Sequence, residues 1–543
     1  MIRSRLTRAI AIAFLAMAGS ASGSNESGSS SQSGNSSESG SSSWFEAGQE
    51  AVARARRNEA SRNPDARARN VILFLGDGMG ITTVTAARIL EGQLRGETGE
   101  ENWLSFERLS HTALIKTYNT NQQTPDSAGT MTAIVTGVKT RAGHLSVGES
   151  VARGDHAAAR GAFLSTIVEQ AEQRGLSTGV VTTAPVTHAT PGACYAHSPE
   201  RSWQNDALLS PEARSADFPD IARQLIEFPH GDGLEVALGG GRMHFLPITA
   251  PDPEHPGRTG SRLDGRDLTA EWVARRARAT YVWNRAQLDG IGQTEHLLGL
   301  FEPADMRFEI ERAGDAAGEP SLTEMALKAL EIVSRNPKGY FLMVEGGRID
   351  HGHHLGNAHR ALHETVEFSR TIRAVLERID LRETLVVVTA DHGHVFSIAG
   401  SPTRGNDILG YVVSNDLRGE PETEPTRDTR GKPYTTLGYQ NGPGRVTRTF
   451  VWPYDLSGPE RFWLGARARF NWLQRAPDSI DVDPTARDYL QHAAIPLYGE
   501  THGGQDVAAY AGGPGAWLFD GVHEQNYLYH AMAEALGWST TPR

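Results

Sequence analysis

Residues 70–80 read Asn70-Val71-Ile72-Leu73-Phe74-Leu75-Gly76-Asp77-Gly78-Met79-Gly80. An unbroken apolar run, Val71–Leu75, stops at a glycine-rich turn that carries one carboxylate, Asp77. A run this short and without alternation predicts a strand buried on both faces, as strands of parallel sheets are. Three further runs repeat the pattern: Val180–Thr183 before Ala184-Pro185, Tyr340–Val344 before Glu345-Gly346-Gly347, and Leu385–Thr389 before Ala390-Asp391-His392. Helical stretches lie among them, at Ser127–Thr136, Phe163–Arg174, Leu322–Arg335 and His359–Ile379. The alternation predicts an α/β fold, a large and mostly parallel central sheet flanked by helices on both faces. Ligands of such sheets sit beyond the carboxyl ends of the strands. Here those ends carry Asp77, Glu345, Asp350, Asp391 and His392.

Outward from this core, residues 404–491 are rich in Gly, Pro, Thr and Arg and weakly periodic, so they read as a small inserted, crown-like lobe. Alternation is expected to resume near Ala494. At the other end, Arg3, Arg5 and Arg8 precede the apolar run Ala9–Ala18, and small residues follow to Gly23. That is the pattern of a signal peptide over 1–23, which sends the protein to the periplasm or outside the cell. The run is shorter than the ~20 residues that span a bilayer, and no Cys follows it, so no stable membrane anchor is expected. Ser22–Ser43 is almost wholly Ser, Gly, Asn, Glu and Gln, a flexible linker over 24–43. Trp44–Arg69 looks helical and opens the catalytic domain, 44–543.

The chain of 543 residues is 38% hydrophobic, enough to bury a sizeable core. Its formal charge of −12 argues against a nucleic-acid binder, which would show a basic face. Acid excess with few lysines fits a salt-tolerant or GC-rich source. Cys194 is the single cysteine, so no intramolecular disulfide forms, and it reads as a small buried apolar residue.

Chemistry concentrates in Glu345-Gly346-Gly347-Arg348-Ile349-Asp350-His351-Gly352-His353-His354. On a helical turn, Asp350 and His354 face one way and can share a metal; carboxylate and imidazole together suit zinc. Asp391-His392-Gly393-His394 closes another strand and offers a second ligand set. Asp77 alone could be a helix cap, and the late His502 alone would say little. Ser127, in Thr124-Pro125-Asp126-Ser127-Ala128-Gly129-Thr130, opens a small-residue helix whose N–H groups point at any bound anion. It too could be only an N-cap. No Walker phosphate loop is present.

Five of these segments, in order, resemble alkaline phosphatases: Gly76–Gly80, Pro125–Ala128, Val344–Gly347, Thr389–His392 and Thr501-His502-Gly503-Gly504. The wording Arg348–His354 is closer to the animal-type branch than to the enteric bacterial one. The resemblance implies hydrolysis of phosphate monoesters at alkaline pH through a phosphoserine on Ser127, with two zinc ions and one magnesium per subunit, usually in a homodimer. Asp350, His354 and His502 would hold the first zinc; Asp77, Asp391 and His392 the second. Asp77, Thr190 and Glu345 would hold magnesium. Arg201 would clamp the phosphate, with His188 and His351 standing beside the ligands. A calcium site of the animal-type enzymes is approximated by Glu254, Phe301 and Glu302, with Glu319 where the family has Asp. Gln505 departs from the Glu usual there. Phosphodiesterases and sulfatases share the same metal logic, but Ser127, Glu345 and Arg201 together favour monoesters. A non-catalytic metal binder would need the histidines and neither Ser127 nor Arg201.

Overall fold

The computed structural model describes residues 49–53, 56, 63, 65–444 and 483–538. The expected signal peptide and linker lie outside the described residues, as does 445–482 of the expected lobe. Contacts divide the chain into Met1–Ser61 and Arg62–Arg543. In the first unit, residues 49–53 are helical. The second unit contains everything that follows.

Its strands are β1 (Asn70–Gly76), β2 (His111–Lys116), β3 (Ser177–Pro185), β4 (Val236–Gly240), β5 (Ala279–Val282), β6 (His296–Leu300), β7 (Tyr340–Gly346) and β8 (Thr384–Ala390). There follow β9 (Gly393–His394), β10 (Phe396–Ile398), β11 (Leu437–Gly442), β12 (His492–Pro496), β13 (His502–Gly503), β14 (Val507–Gly512) and β15 (Gly521–Glu524). Ten of them form one sheet in the order β15-β2-β14-β8-β1-β7-β3-β4-β6-β5. Only β14 runs against the rest. Every residue of β1, β3, β7 and β8 is buried, so both faces of the centre are covered, as the unbroken apolar runs require. Helices Leu322–Val333, Ala358–Leu376 and Ile81–Gln93 pack together in one layer. Ser127–Thr136, Ile167–Gln173, Ala189–Tyr195 and Tyr527–Ala535 form the other group. Phe74 of β1 meets Phe368 of the long helix edge-on, ring centroids 6.2 Å apart. Truncating either to Ala would cost about 3–5 kcal/mol.

Local chemistry adjusts the expected boundaries. The helix expected at Phe163–Arg174 is Ile167–Gln173, because Thr166 caps it. The Thr166 hydroxyl accepts from Glu169 N, and the Glu169 carboxylate accepts from Thr166 N. The strand expected at Val180–Thr183 extends to Ser177–Pro185. The main sheet resumes at β14, not near Ala494; that stretch is β12 of a small three-stranded sheet, β10-β11-β12. Among the described residues no helix is long and apolar enough to cross a membrane.

Strand register is what builds the site. Gly76 of β1 pairs with Gly346 of β7 and with Ala390 of β8. The three central strands therefore end level, and Asp77 and Asp391 emerge side by side. Glu345 pairs across to Thr182 on β3.

Candidate active site

Four carboxyl groups, Asp77, Glu345, Asp350 and Asp391, are buried within this one pocket of strand ends. Desolvating one carboxylate costs several kcal/mol unless a cation offsets it, so a cluster of four demands positive charge.

Asp350 and His354 lie one turn apart on the short helix Arg348–His354 that follows β7. His502 arrives from far along the chain because β13 pairs antiparallel with β9, setting His502 opposite His394. Asp350 Oδ1 lies 3.4 Å from His354 Nε2 and 3.3 Å from His502 Nε2, and the two Nε2 atoms are 3.0 Å apart. The other nitrogen of each ring donates to a backbone carbonyl, His354 Nδ1 to Glu500 O at 2.7 Å and His502 Nδ1 to Pro125 O at 2.8 Å. Both tautomers are thereby fixed with Nε2 as the lone-pair atom. Burial holds the His354 imidazole neutral, its pKa pulled down to about 3.

The second group joins Asp77, Asp391 and His392. His392 Nε2 stands 3.4 Å from Asp77 Oδ1, 3.3 Å from Asp391 Oδ2 and 3.1 Å from Ser127 Oγ. Asp391 accepts from Gly78 N (3.0 Å), its neighbour His392 N (2.9 Å) and Thr130 Oγ1 (3.2 Å). Neither oxygen of Asp77 has a hydrogen-bond partner. Burial, then the facing Asp391, Asp350 and Glu345 carboxylates, push the Asp77 pKa well above the carboxylate range.

A third group places Asp77, Glu345 and His188 with their donor atoms within 4.8 Å of one another. Thr182 Oγ1 donates to Glu345 Oε2 at 2.5 Å, while Glu345 Oε1 and Thr190 Oγ1 are buried without partners. Burial raises Glu345 to about 8. Buried polar atoms are rarely left unpaired. The orphans here are both Asp77 oxygens, Glu345 Oε1, Thr190 Oγ1 and His188 Nδ1, and the four oxygens are a hard set suited to magnesium. The two imidazole-carboxylate sets suit zinc. The residues present thus fit metal cofactors.

Ser127 opens helix Ser127–Thr136, whose ten residues are all buried. Asp126, the N-cap, accepts from Ala128 N through its side chain. The same carboxylate accepts from Gly143 N at 2.7 Å and pairs with Arg201 Nη1. Although burial opposes it, Arg201 holds the Asp126 carboxyl down to about 2. Arg201 N donates to Gly143 O, and Arg201 Nη2 lies 3.0 Å from His188 Nε2. His351 touches Arg348 at 2.9 Å, and both face Asp305.

Sequence reasoning placed His394 in a ligand-bearing segment without giving it a role of its own, and did not assign Glu500, Asp126, Thr130 or Thr182. His394 bridges two carboxylates, with Nε2 2.9 Å from Asp350 Oδ1 and Nδ1 2.6 Å from Glu500 Oε2. Burial works against its charge, but Glu500 and Asp350 raise its pKa to about 10. Alternate residues of Asp391–His394 and of Glu500–His502 carry these groups, which was the available signal.

Apart from this centre, Glu254 and Glu302 flank one imidazole. His255 Nε2 lies 3.7 Å from Glu254 and 3.3 Å from Glu302. Arg242 donates to Glu254 at 2.7 Å, and Arg307 N donates to both oxygens of Glu319, at 3.2 and 3.0 Å. Phe301 directly follows β6 and precedes Glu302. Burial, with Glu302 and Asp315 nearby, raises Glu254 to about 7. Asp315, which was not anticipated, lies 3.2 Å from Arg307 Nε.

Residues 68–538 match the family model described as alkaline phosphatase. The alkaline phosphatase of Gadus morhua is 44% identical over 476 residues, spanning 86% of this chain and 92% of that protein. The tissue-nonspecific isozyme of Homo sapiens is 43% identical, spanning 86% and 83%. Among solved structures, alkaline phosphatase from Thermus thermophilus superposes with a TM-score of 0.60 at 24% identity, covering 88% of this chain and 93% of its own. That from the Antarctic bacterium TAB5 gives 0.56 at 20% identity, covering 87% and 100%.

Proposed function

This chain belongs to the alkaline phosphatase family and hydrolyses phosphate monoesters with metal cofactors, and we propose that it does so through a phosphoserine on Ser127, at alkaline pH. Two zinc ions would be held by Asp350, His354 and His502 and by Asp77, Asp391 and His392. One magnesium would be held by Asp77, Glu345 and Thr190. When bound, such cations supply the positive charge that neutralises the phosphoryl group and the attacking and departing oxygens.

Ser127 Oγ forms a bond to phosphorus as the ester P–O bond breaks and the alcohol departs with a proton. Water then cleaves the Oγ–P bond, releasing inorganic phosphate and restoring the hydroxyl. Backbone N–H groups at the start of helix Ser127–Thr136 face the phosphoryl oxygens. Arg201 grips two of them in the planar, two-toothed manner that Lys cannot reproduce. Asp126 keeps the guanidinium beside the nucleophile. The carrying observation is Ser127 Oγ standing 3.1 Å from His392 Nε2, where the second metal group meets the helix N-terminus.

Secretion through residues 1–23, a homodimer, and calcium held by Glu254, Phe301, Glu302 and Glu319 complete the reading. The first rests on the basic and apolar pattern before Gly23. The calcium proposal rests on the cluster of raised carboxyls around His255. The dimer rests on the family resemblance alone.

The test is hydrolysis of a chromogenic monoester near pH 10 by wild type and Ser127→Ala, before and after chelation and zinc add-back. Mass spectrometry of acid-quenched enzyme follows. Chelator-sensitive turnover, a loss of several orders of magnitude in Ser127→Ala and a phosphate on Ser127 are expected. Full activity in Ser127→Ala would sink the assignment.

A further inference from the structure

Arg201 is held at two points that meet in one residue, Gly143. Its backbone N donates to Gly143 O at 2.9 Å, and its guanidinium pairs with Asp126, whose carboxylate accepts from Gly143 N at 2.7 Å. Gly143 thus anchors both ends of the arginine. Its φ is +83°, and a Cβ built there would meet Arg153 Cζ and Nε at 2.6 Å, so the Arg153 guanidinium lies directly against this backbone. From there Arg153 reaches Glu200, the residue before Arg201. Arg153 Nε donates to Glu200 Oε2 at 2.6 Å and Nη2 to Oε1 at 2.9 Å, the two-toothed geometry of the stronger ion pairs. Glu200 Oε1 also accepts from Ser202 N at 3.0 Å, so one carboxylate ties together the residues on either side of Arg201. The neighbours of the pair are joined as well, Gly154 N donating to Pro199 O at 3.0 Å.

We propose that Arg153 and Glu200 are positioning residues for phosphate binding: their ion pair closes a circuit of contacts, Arg153–Glu200–Arg201–Asp126–Gly143, that fixes the Arg201 guanidinium before substrate arrives. The proposal deepens, and rests on, the reading of Arg201 as the phosphate clamp. A side chain ordered in advance loses less freedom when its ligand binds, so the pair strengthens binding without touching phosphate. Although burial opposes it, the hydrogen bond from Arg153 holds the Glu200 carboxyl below the usual range. Arg153 is 53% exposed and Glu200 17%, so water weakens the pair and the effect is modest.

The probe is inorganic phosphate as a competitive inhibitor of chromogenic monoester hydrolysis by the metal-loaded enzyme. Wild type is compared with Arg153→Ala and Glu200→Gln, and with the same two changes made in Arg201→Lys. Zinc content and Tm are recorded for each. Arg153→Ala and Glu200→Gln are each expected to raise the phosphate Ki about two- to five-fold at unchanged zinc content, the range of a partly exposed pair. In Arg201→Lys, which has no fork left to position, either change should move the Ki by less than about 1.5-fold, since coupled residues are not additive. An equal rise in both backgrounds marks a merely structural pair and overturns the inference. Shifts in opposite directions for the two variants overturn it too, because they would report only the charge removed. Wild-type Ki in both variants, beside a raised Ki in Arg201→Lys, sinks this inference alone. A wild-type Ki in Arg201→Lys itself brings down the clamp reading and the positioning role together.

Discussion

His354 Nε2 and His502 Nε2 face each other at 3.0 Å, although each ring has its proton committed to a backbone carbonyl on the other side. Two lone pairs at that separation repel unless a cation lies between them or one ring gives up its carbonyl. Asp350 Oδ1, within 3.4 Å of both, makes the same demand. The arrangement is built for an ion, so it should stiffen when one is present. A bound ligand at 100- to 1,000-fold excess over its Kd adds about 3–4 kcal/mol of stability. Chelation is expected to lower the Tm by several degrees, and zinc to restore it. His502→Ala is expected to bind one zinc fewer per chain and to show a smaller chelation shift. A Tm indifferent to chelation in wild type would contradict the reading.

Gly78 tests how tightly the turn after β1 is fitted. Its φ is +68°, in the left-handed region, and a Cβ there would meet His394 Nε2 at 2.3 Å. His394 cannot yield, because Asp350 and Glu500 grip its two nitrogens. Gly78→Ala is expected to lose at least about 1–2 kcal/mol from the backbone alone. It should also bind zinc less tightly, since Gly78 N is a donor to Asp391 Oδ1. Denaturation midpoint and zinc content, measured together, check both halves.

These two cases show where sequence sufficed and where it did not. β1, β7 and β8 were legible because burial on both faces forces unbroken apolar runs, and their ends displayed Asp77, Asp350, Asp391 and His392. β14 was not, because nothing in Val507–Gly512 says that it inserts antiparallel between β8 and β2. His394 and Glu500 escaped for a related reason. Their contact depends on the β9–β13 pairing, which joins segments over 100 residues apart. In the sequence Asp126 stands out only as the residue before Ser127. Its grip on Arg201, 75 residues away, is a tertiary fact.

Arg201 is the sharpest probe of phosphate binding. One end of its guanidinium pairs with Asp126 and the other reaches His188 Nε2. Arg201→Lys keeps the charge but removes the fork. Losing one charge-assisted hydrogen bond costs about 1.5–3 kcal/mol, or a fall of about 10- to 150-fold in kcat/KM. Inorganic phosphate should also inhibit the variant less strongly. Wild-type kcat/KM and inhibition in Arg201→Lys would remove Arg201 from the proposed clamp.

The last prediction concerns pH and lies away from the metals. Glu172 and Glu235 are buried near the start of β3. Thr178 Oγ1 donates to Glu172 Oε1 at 2.6 Å, while Ser177 Oγ and Thr178 N donate to Glu235 at 2.8 and 2.6 Å. Glu172 Oε2 has no partner. Burial, then repulsion from Glu235, raises Glu172 to about 8, and burial raises Glu235 to about 7. A folded-state pKa above the unfolded value means the folded protein binds more protons through that interval, so stability falls as pH rises through it. The pair's stabilising contribution is therefore present near pH 4 and is lost by about pH 8. Glu172→Gln removes the titration while keeping the shape. It should leave the Tm nearly unchanged at pH 5, raise it at pH 8–9, and flatten the slope between. A slope identical to wild type would mean Glu172 ionises in the fold as freely as in the unfolded chain.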